Sequence, residues 1–481
     1  NKCGILIYML STAKQTKIVC TIGPASHDVA TLKKMITAGM NVARLNFSHV
    51  THEDHAKLIR VVRQASREIG EPVSLLQDLS GPKMRVGDLP EKGIQLKRGE
   101  EVKVAFGKEY KGDVIPVSYP YIHTDIRPGE QVLLDDGLME LRAVRVSGKT
   151  LLCKVVVGGT LLPHKGFNVP TSTLRIDTIT AKDRDDVAFG LAQDVDWVTL
   201  SFVRSPDDIR NLKDIIKRHK KNGPMPLIMA KIEKREALMQ LEEIVRECDG
   251  IMIARGDLAI ETKAAEVPVR QKQIIEMCLR LQKPVIVATE MMASMAKNPR
   301  PTRAELSDVG HAVMDHTDAV MTSGESATGA YPVETVDTMA KTAQSTEKSV
   351  FDDYPLELHA KHQHTRDRIV GTTARLLVEH TKAAAIAFMP GQEHLARLVS
   401  HFRAQVPLVV GVRSAREATH LNLWWGVHGV AVKGDKKASK QHLLAWMRDH
   451  GIKKGATAAF LSAQYTPEDE RFSLQVEEKK I

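Results

Sequence analysis

"DGIMIARGDLAIE", Asp249–Glu261, sets a five-residue apolar run, Gly250–Ala254, directly ahead of Arg255, Gly256 and Asp257. A run of that length and character reads as a buried strand. The polar residues at its end read either as a surface turn or as one part of an active site that collects side chains from strand ends. The two differ in whether the chain repeats the arrangement, and it does. Seven further runs share the character: Thr16–Ile22, Asn41–Phe47, Val73–Leu79, Trp197–Phe202, Leu227–Ile232, Pro284–Thr289 and Ala319–Gly324. Between most of them lie segments of helical period, such as "HDVATLKKMITAG" (His27–Gly39), "SPDDIRNLKDIIKRHKK" (Ser205–Lys221), "REALMQLEEIVREC" (Arg235–Cys248) and "PVRQKQIIEMCLRLQ" (Pro268–Gln282). Strands buried on both faces are hydrophobic almost throughout. Eight strand–helix units therefore predict an α/β fold, a (β/α)8 TIM barrel with its chemistry at the C-terminal strand ends.

Residues 83–172 break the rhythm. They lack long helical segments and carry turn signals, "KRGEE", "RPGEQ", "DDG" and "VSGK", between alternating β patches. This predicts an all-β insertion after the third strand, a small lid domain inside a barrel formed by 14–82 and 173–346. After about residue 347 a polar connector, Phe351–Arg368, precedes a new α/β series, read as a C-terminal α/β domain (347–481) with a mostly parallel sheet. Residues 1–13 read as a ragged leader.

The chain of 481 residues is long enough for two to four domains. Its cysteines, Cys3, Cys20, Cys153, Cys248 and Cys278, show no CxxC spacing. That argues against a disulfide framework or a zinc site and for a reducing cytoplasm. No apolar segment reaches the roughly 20 residues that span a bilayer. The net charge of +9 is dense only at Lys217–Lys221 and Lys433–Lys440, and aromatics are 4%. Those runs read as solvated faces rather than a nucleic-acid stripe, and a basic balance suits small acidic substrates.

Six predicted strand ends carry polar groups: Arg44, Asn46 and Ser48; Asp78; Lys231 and Glu233; Arg255 and Asp257; Thr289 and Glu290; Ser323 and Glu325. The set favours phosphoryl chemistry. Glu233 and Asp257 are hard oxygen ligands on adjacent strands, suited to Mg²⁺. Lys231 and Arg44 are cations for a phosphoryl group. Gly256 and its neighbours offer backbone N–H groups to an anion, and Thr289 offers a hydroxyl for a proton. There is no GxGxxG, no Walker P-loop and no zinc-protease His-Glu pair.

In order, "TKIVCTIGPAS", "MNVARLNFSH", "DLSGPKMRVG", "KGFNVP", "AKIE", "MIARGDLAIE", "MMASMAKNPRPTRAE" and "DAVMTSGESATGAYPVE" resemble the successive signatures of pyruvate kinase, strongly over roughly 14–345 and weakly beyond. The resemblance implies a barrel, a β-barrel lid, a C-terminal regulatory domain and a homotetramer. It implies transfer of the phosphoryl group of phosphoenolpyruvate to ADP. Glu233 and Asp257 would bind Mg²⁺ or Mn²⁺. Lys231 would serve the phosphoryl group in flight and Arg44 would grip phosphate. Ala254, Arg255 and Gly256 would contact substrate. Thr289 would belong to the proton path, with Ser323 and Glu325 behind it. Asn46, His49, Arg85, Asp135 and Lys165 are candidates for nucleotide or lid contacts; for the last three, a structural ion pair is an equal reading. The rivals are another metal-dependent enolate enzyme on a TIM barrel and a non-catalytic regulatory homologue.

The chain departs from the family pattern in several places. Val50 and Ala259 replace Gly, Lys234 replaces Asn, and Glu290 replaces Gln. K⁺-dependent members read Asp-Thr-Lys-Gly-Pro-Glu where this chain reads Asp78-Leu79-Ser80-Gly81-Pro82-Lys83. The resemblance thus implies a vestigial monovalent-cation site at Asn46, Ser48, Asp78 and Leu79, with the Lys83 ammonium in place of K⁺. Members activated by fructose 1,6-bisphosphate hold it with a hydroxyl- and glycine-rich turn. Here Met389–Ser400 has no hydroxyl before Ser400, and the late loop Ser462–Ser473 is acidic. A sugar monophosphate or AMP is the remaining effector expectation.

Overall fold

The computed structural model describes residues 14–172, 174–220, 223–352, 365–466 and 471–481. The leader, most of the polar connector and part of the late acidic loop lie outside the described residues. Eight parallel strands close into a barrel: Lys17–Thr21, Val42–Asn46, Ser74–Asp78, Trp197–Leu200, Leu227–Ile232, Gly250–Ala254, Val285–Ala288 and Ala319–Thr322. Closure is made where the first strand pairs with the eighth, Lys17 beside Ala319. Each of the eight apolar runs holds one of these strands. Val19, Val42, Leu76, Trp197, Met229, Met252 and Ile286 fill the interior, as a barrel of this size requires.

The helices begin where the sequence offers caps. Asp28, Thr51 and Thr302 each accept a hydrogen bond from the N–H three residues on, at the starts of Val29–Ala38, His52–Ile69 and Arg303–Met314. The single helix expected over Arg235–Cys248 is two, Arg235–Met239 and Leu241–Glu247, with Gln240 at φ −119°, ψ 27° between them. After the sixth barrel strand the chain does not run into a loop but straight into a seven-residue helix, Arg255–Glu261.

The insertion after the third strand is a six-stranded sheet in the order Phe167–Asn168, Gln131–Leu134, Met139–Ser147, Thr150–Val157, Glu101–Phe106, Val114–Val117. A two-stranded ribbon, Ile94–Leu96 with Gly159–Leu161, joins it. It is not wholly β, because Ile122–Asp125 forms one helical turn. It has its own core, including Val104, Val132, Leu141, Leu151 and Phe167.

The C-terminal sheet runs Val427–Ala431, Leu408–Val412, Ala385–Phe388, Thr457–Thr466, Arg471–Lys480, parallel except for its last, antiparallel pair. A six-residue helix, Ala415–His420, is an addition to the series expected there. This domain seals the barrel's N-terminal end. Trp424 lies 5.7 Å from Trp197 between ring centroids, and Lys17 Nζ donates to the Val427 carbonyl at 2.7 Å. Arg403 pairs with Asp318 at 3.1 Å, both essentially without solvent contact. Barrel interior and C-terminal domain share one apolar cluster. Among the described residues no helix is long and apolar enough to cross a membrane.

Val50 gives a first prediction. It has φ +59° and is largely exposed, so a β-branched side chain holds a left-handed backbone for which no packing compensates. Replacing it with glycine removes that strain, and Val50→Gly is expected to raise stability by about 1 kcal/mol. An unchanged or lowered urea midpoint would contradict this.

Candidate active site

The cleft at the C-terminal end of the barrel is built from strand ends. Arg44, Asn46, Ser48, His49, Asp78, Leu79, Lys83, Arg85, Lys231, Glu233, Ala254, Asp257 and Thr289 all line it. Its centre is a buried charge cluster. Arg44 Nε donates to Asp78 Oδ2 at 2.8 Å, Nη2 pairs with the same oxygen at 2.6 Å, and Nη1 donates to Thr21 Oγ1 at 2.8 Å. Lys231 Nζ lies 2.9 Å from Glu233 Oε1 and 3.6 Å from Asp78 Oδ1, and donates to Ser201 Oγ at 2.9 Å. Burial alone would lower the Lys231 ammonium, but the carboxylates of Asp78 and Glu233 outweigh it and raise its pKa. Burial pushes the Glu233 carboxyl up, Lys231 opposes this and Asp257 adds to it.

Glu233 is fully buried and its Oε2 accepts the Phe202 N–H at 2.6 Å. Its Oε1 has no aligned hydrogen-bond donor. Asp257, at the start of the helix after the sixth strand, contributes a second carboxylate. No group of three His, Cys, Asp or Glu that could hold a metal occurs among the described residues. Two hard carboxylate oxygens on neighbouring strand ends are the kind of donors that hold Mg²⁺ when water and substrate complete its shell.

Thr289 follows the seventh strand with φ +68°, and Glu290 after it has φ +56°. Such backbone is costly for a β-branched residue and concentrates at functional sites. Here it brings Thr289 Oγ1 to accept the Gly256 N–H at 2.9 Å. That hydrogen bond satisfies a free donor at the start of the Arg255–Glu261 helix, and leaves the hydroxyl proton to be donated into the cleft.

Two residues expected to contact substrate, Arg255 and Gly256, are placed otherwise. Arg255 does not line the cleft. Its guanidinium grips Asp308 through two hydrogen bonds of 2.7 Å and donates to the Thr289 carbonyl at 2.7 Å. A long cation beside a half-buried carboxylate pairs with it rather than facing solvent. The Gly256 N–H is taken by Thr289, so it is not offered to an anion. Ser323 and Glu325 also lie off the cleft. Glu325 is buried and accepts the Ser323 N–H at 2.7 Å and the Met292 N–H at 3.2 Å, which pins the segment after the seventh strand. On the lid, Asp135 pairs with Lys165 at 2.9 Å and neither lines the cleft, whereas Arg85 does. Ser48 Oγ lies 3.1 Å from Ser80 Oγ. Lys83 is exposed at the cleft rim.

Ser201, the hydroxyl that receives Lys231, was missed. Its signal was visible, because the fourth run ends in Ser201 and Phe202 like the others.

Comparison with known proteins gives the same architecture a family. The profile described as the barrel domain of pyruvate kinase matches residues 13–336, and that of its alpha/beta domain matches 368–463. The chain belongs to the pyruvate kinase family. Pyruvate kinase 2 of Synechocystis sp. is 42% identical over 424 residues, 87% of this chain and 71% of that protein. The pyruvate kinase of Clostridium acetobutylicum is 36% identical over 445 residues, 92% and 93% of the two chains. The crystal structure of a pyruvate kinase from Cryptosporidium parvum superposes with a TM-score of 0.89 at 31% identity, covering 97% of this chain and 96% of that one. These similarities make the protein a phosphotransferase and favour that over another metal-dependent enolate enzyme on a TIM barrel.

Proposed function

We propose that this cleft transfers the phosphoryl group of phosphoenolpyruvate to ADP, giving pyruvate and ATP, as the glycolytic enzymes of the family do. The observation that carries the reading is Lys231, a mostly buried ammonium set between Asp78 and Glu233 at the barrel mouth. A phosphoryl group in transfer spreads negative charge over its oxygens, and fixed cations act on it most strongly where water is excluded. Lys231 meets that group in flight. Arg44, oriented by Asp78 and Thr21, holds the phosphate. Glu233 and Asp257 would hold Mg²⁺ or Mn²⁺, with Ala254 beside them, and the cation would supply positive charge to the substrate's oxygens. Thr289 directs its proton inward and serves protonation at carbon. Arg255, Ser323 and Glu325 act from behind as positioning residues. Asn46, His49 and Arg85 face the nucleotide, and the lid bearing Asp135 and Lys165 closes over it to exclude water.

The same reading divides the chain into a barrel (14–82 and 173–346), a lid (83–172) and a regulatory domain (347–481). Leu174 and Ile176 still pack on the lid core, so the return to the barrel is gradual. The family assembly is a homotetramer, proposed here too, and the four described cysteines are all free and buried, in keeping with the cytoplasm. The Lys83-containing, K⁺-independent subtype is the finer proposal, with Asn46, Ser48, Asp78 and Leu79 as a vestigial cation site.

A coupled assay with phosphoenolpyruvate, ADP and Mg²⁺ tests the activity, and absence of pyruvate formation would overturn it. Little activation by fructose 1,6-bisphosphate is expected. The C-terminal cavity beside Met389–Gln392 has basic residues, but Lys440 is paired with Glu477 there. A sugar monophosphate or AMP is the effector proposed instead. A large fall in half-saturating phosphoenolpyruvate on adding the bisphosphate would contradict this.

A further inference from the structure

Lys234 stands directly after the Glu233 carboxylate, and none of the steps above uses it. Its ammonium lies 2.6 Å from Glu261 Oε1, with the two side chains only 13% and 2% exposed. The same oxygen accepts a hydrogen bond from Asn168 Nδ2 at 3.3 Å. Asn168 belongs to Phe167–Asn168, the last strand of the lid sheet before the chain returns to the barrel. Lys234 Nζ also sits 5.9 Å from the centroid of the Phe202 ring, and Phe202 is the residue whose N–H holds Glu233. One carboxylate oxygen therefore joins three elements: the end of the fifth barrel strand, the helix after the sixth, and the return strand of the lid.

An exposed ion pair of this kind would tie little together. This one is shielded, and removing one partner leaves a buried charge uncompensated. The link crosses from barrel to lid and does not lie within either unit. Asparagine, usual at position 234 in the family, is shorter and uncharged, so it does not reproduce the ion pair.

We propose that Lys234, Glu261 and Asn168 form a latch that anchors the lid's return strand to the barrel mouth and sets the lid's position over the nucleotide. Lys234 is thus a positioning residue for ADP. The latch rests on the proposed reading that the lid closes over the nucleotide. It predicts a selective defect. With the anchor gone, the lid samples open positions and the nucleotide is held less well, while the metal and phosphoenolpyruvate sites on the barrel keep their geometry.

The test compares the full-length wild type with Lys234→Met, Glu261→Gln and Asn168→Ala. Each is assayed for saturation by ADP and by phosphoenolpyruvate, for metal-dependent exchange of the pyruvate methyl protons, and for hydrogen exchange in lid peptides around 164–172. The KM for ADP is expected to rise roughly fivefold or more. The phosphoenolpyruvate KM and the proton exchange should stay within about twofold, with faster amide exchange in the return strand. The double variant Lys234→Met/Glu261→Gln should be no worse than the poorer single variant, and Lys234→Arg should restore most of the ADP affinity. An unchanged ADP KM in folded Lys234→Met would overturn the latch. So would loss of ADP binding and proton exchange together, which would place Lys234 with the metal site. If Mg²⁺–ADP leaves lid exchange in the wild type unaltered, the closing lid itself is wrong and the latch falls with it.

Discussion

Lys231→Met is expected to abolish phosphoryl transfer while metal-dependent proton exchange of pyruvate remains measurable. Removing a preorganised cation from the transferring group should lower kcat by about three orders of magnitude. The proton step draws instead on Thr289 and the metal carboxylates. The geometry adds a complication that can be controlled. Lys231 is the closest cation to the buried Glu233 carboxylate, so its loss favours the protonated carboxyl and opposes metal binding. The exchange assay therefore belongs at saturating Mn²⁺, which favours the ionised Glu233 by mass action, and is run over a series of pH values. Breaking a buried pair also destabilises the fold, by about 3–5 kcal/mol, so the thermal midpoint is read alongside. Loss of both activities in a folded, metal-saturated variant would refute this division of labour.

Full activity without K⁺ is the second expectation, with Lys83→Glu creating a K⁺ requirement. Lys83 lines the same cleft as Asn46, Ser48 and Asp78, is exposed, and makes no ion pair among the described residues. A tethered ammonium carries the charge of K⁺ and is always present. It also repels a second cation, because like charges a few ångströms apart in a partly buried site interact by several kcal/mol. Leu79, buried and without a hydroxyl, cannot replace a lost ligand. In buffers free of K⁺ and NH₄⁺, the wild type should run at its full rate with Mg²⁺. Lys83→Glu should lose most activity, roughly tenfold or more, and regain it on adding KCl. Manyfold stimulation of the wild type by KCl, beyond an ionic-strength control, would refute the idea.

The barrel was legible because its signal is local. A strand buried on both faces must be apolar along its length, and eight such runs stand out without reference to one another. Strand-end residues with short side chains, such as Asp78, Asp257 and Thr289, were legible too, since a short chain has little freedom to point elsewhere. Arg255 was not, because its direction depends on Asp308, supplied by a helix 53 residues on. Nothing near position 255 announces that partner. The partner of the Gly256 N–H is hidden for the same reason, since its acceptor Thr289 stands just past another strand. The split at Gln240 and the early start of the Arg255–Glu261 helix are differences at element ends, where sequence pattern is least decisive.

The apolar cluster shared by the barrel interior and the C-terminal domain has a consequence for how the molecule comes apart. Trp197 and Trp424 touch across what the topology would count as a border, and Arg403 is sunk against Asp318 there. A border that contains part of both cores cannot be opened without exposing both. The inserted sheet, by contrast, has a core cluster separate from the one those two share. The protein should therefore melt as two cooperative units and not three: the lid on its own, and barrel plus C-terminal domain together. A chain cut back to the barrel alone would have an open floor where Trp424 had been.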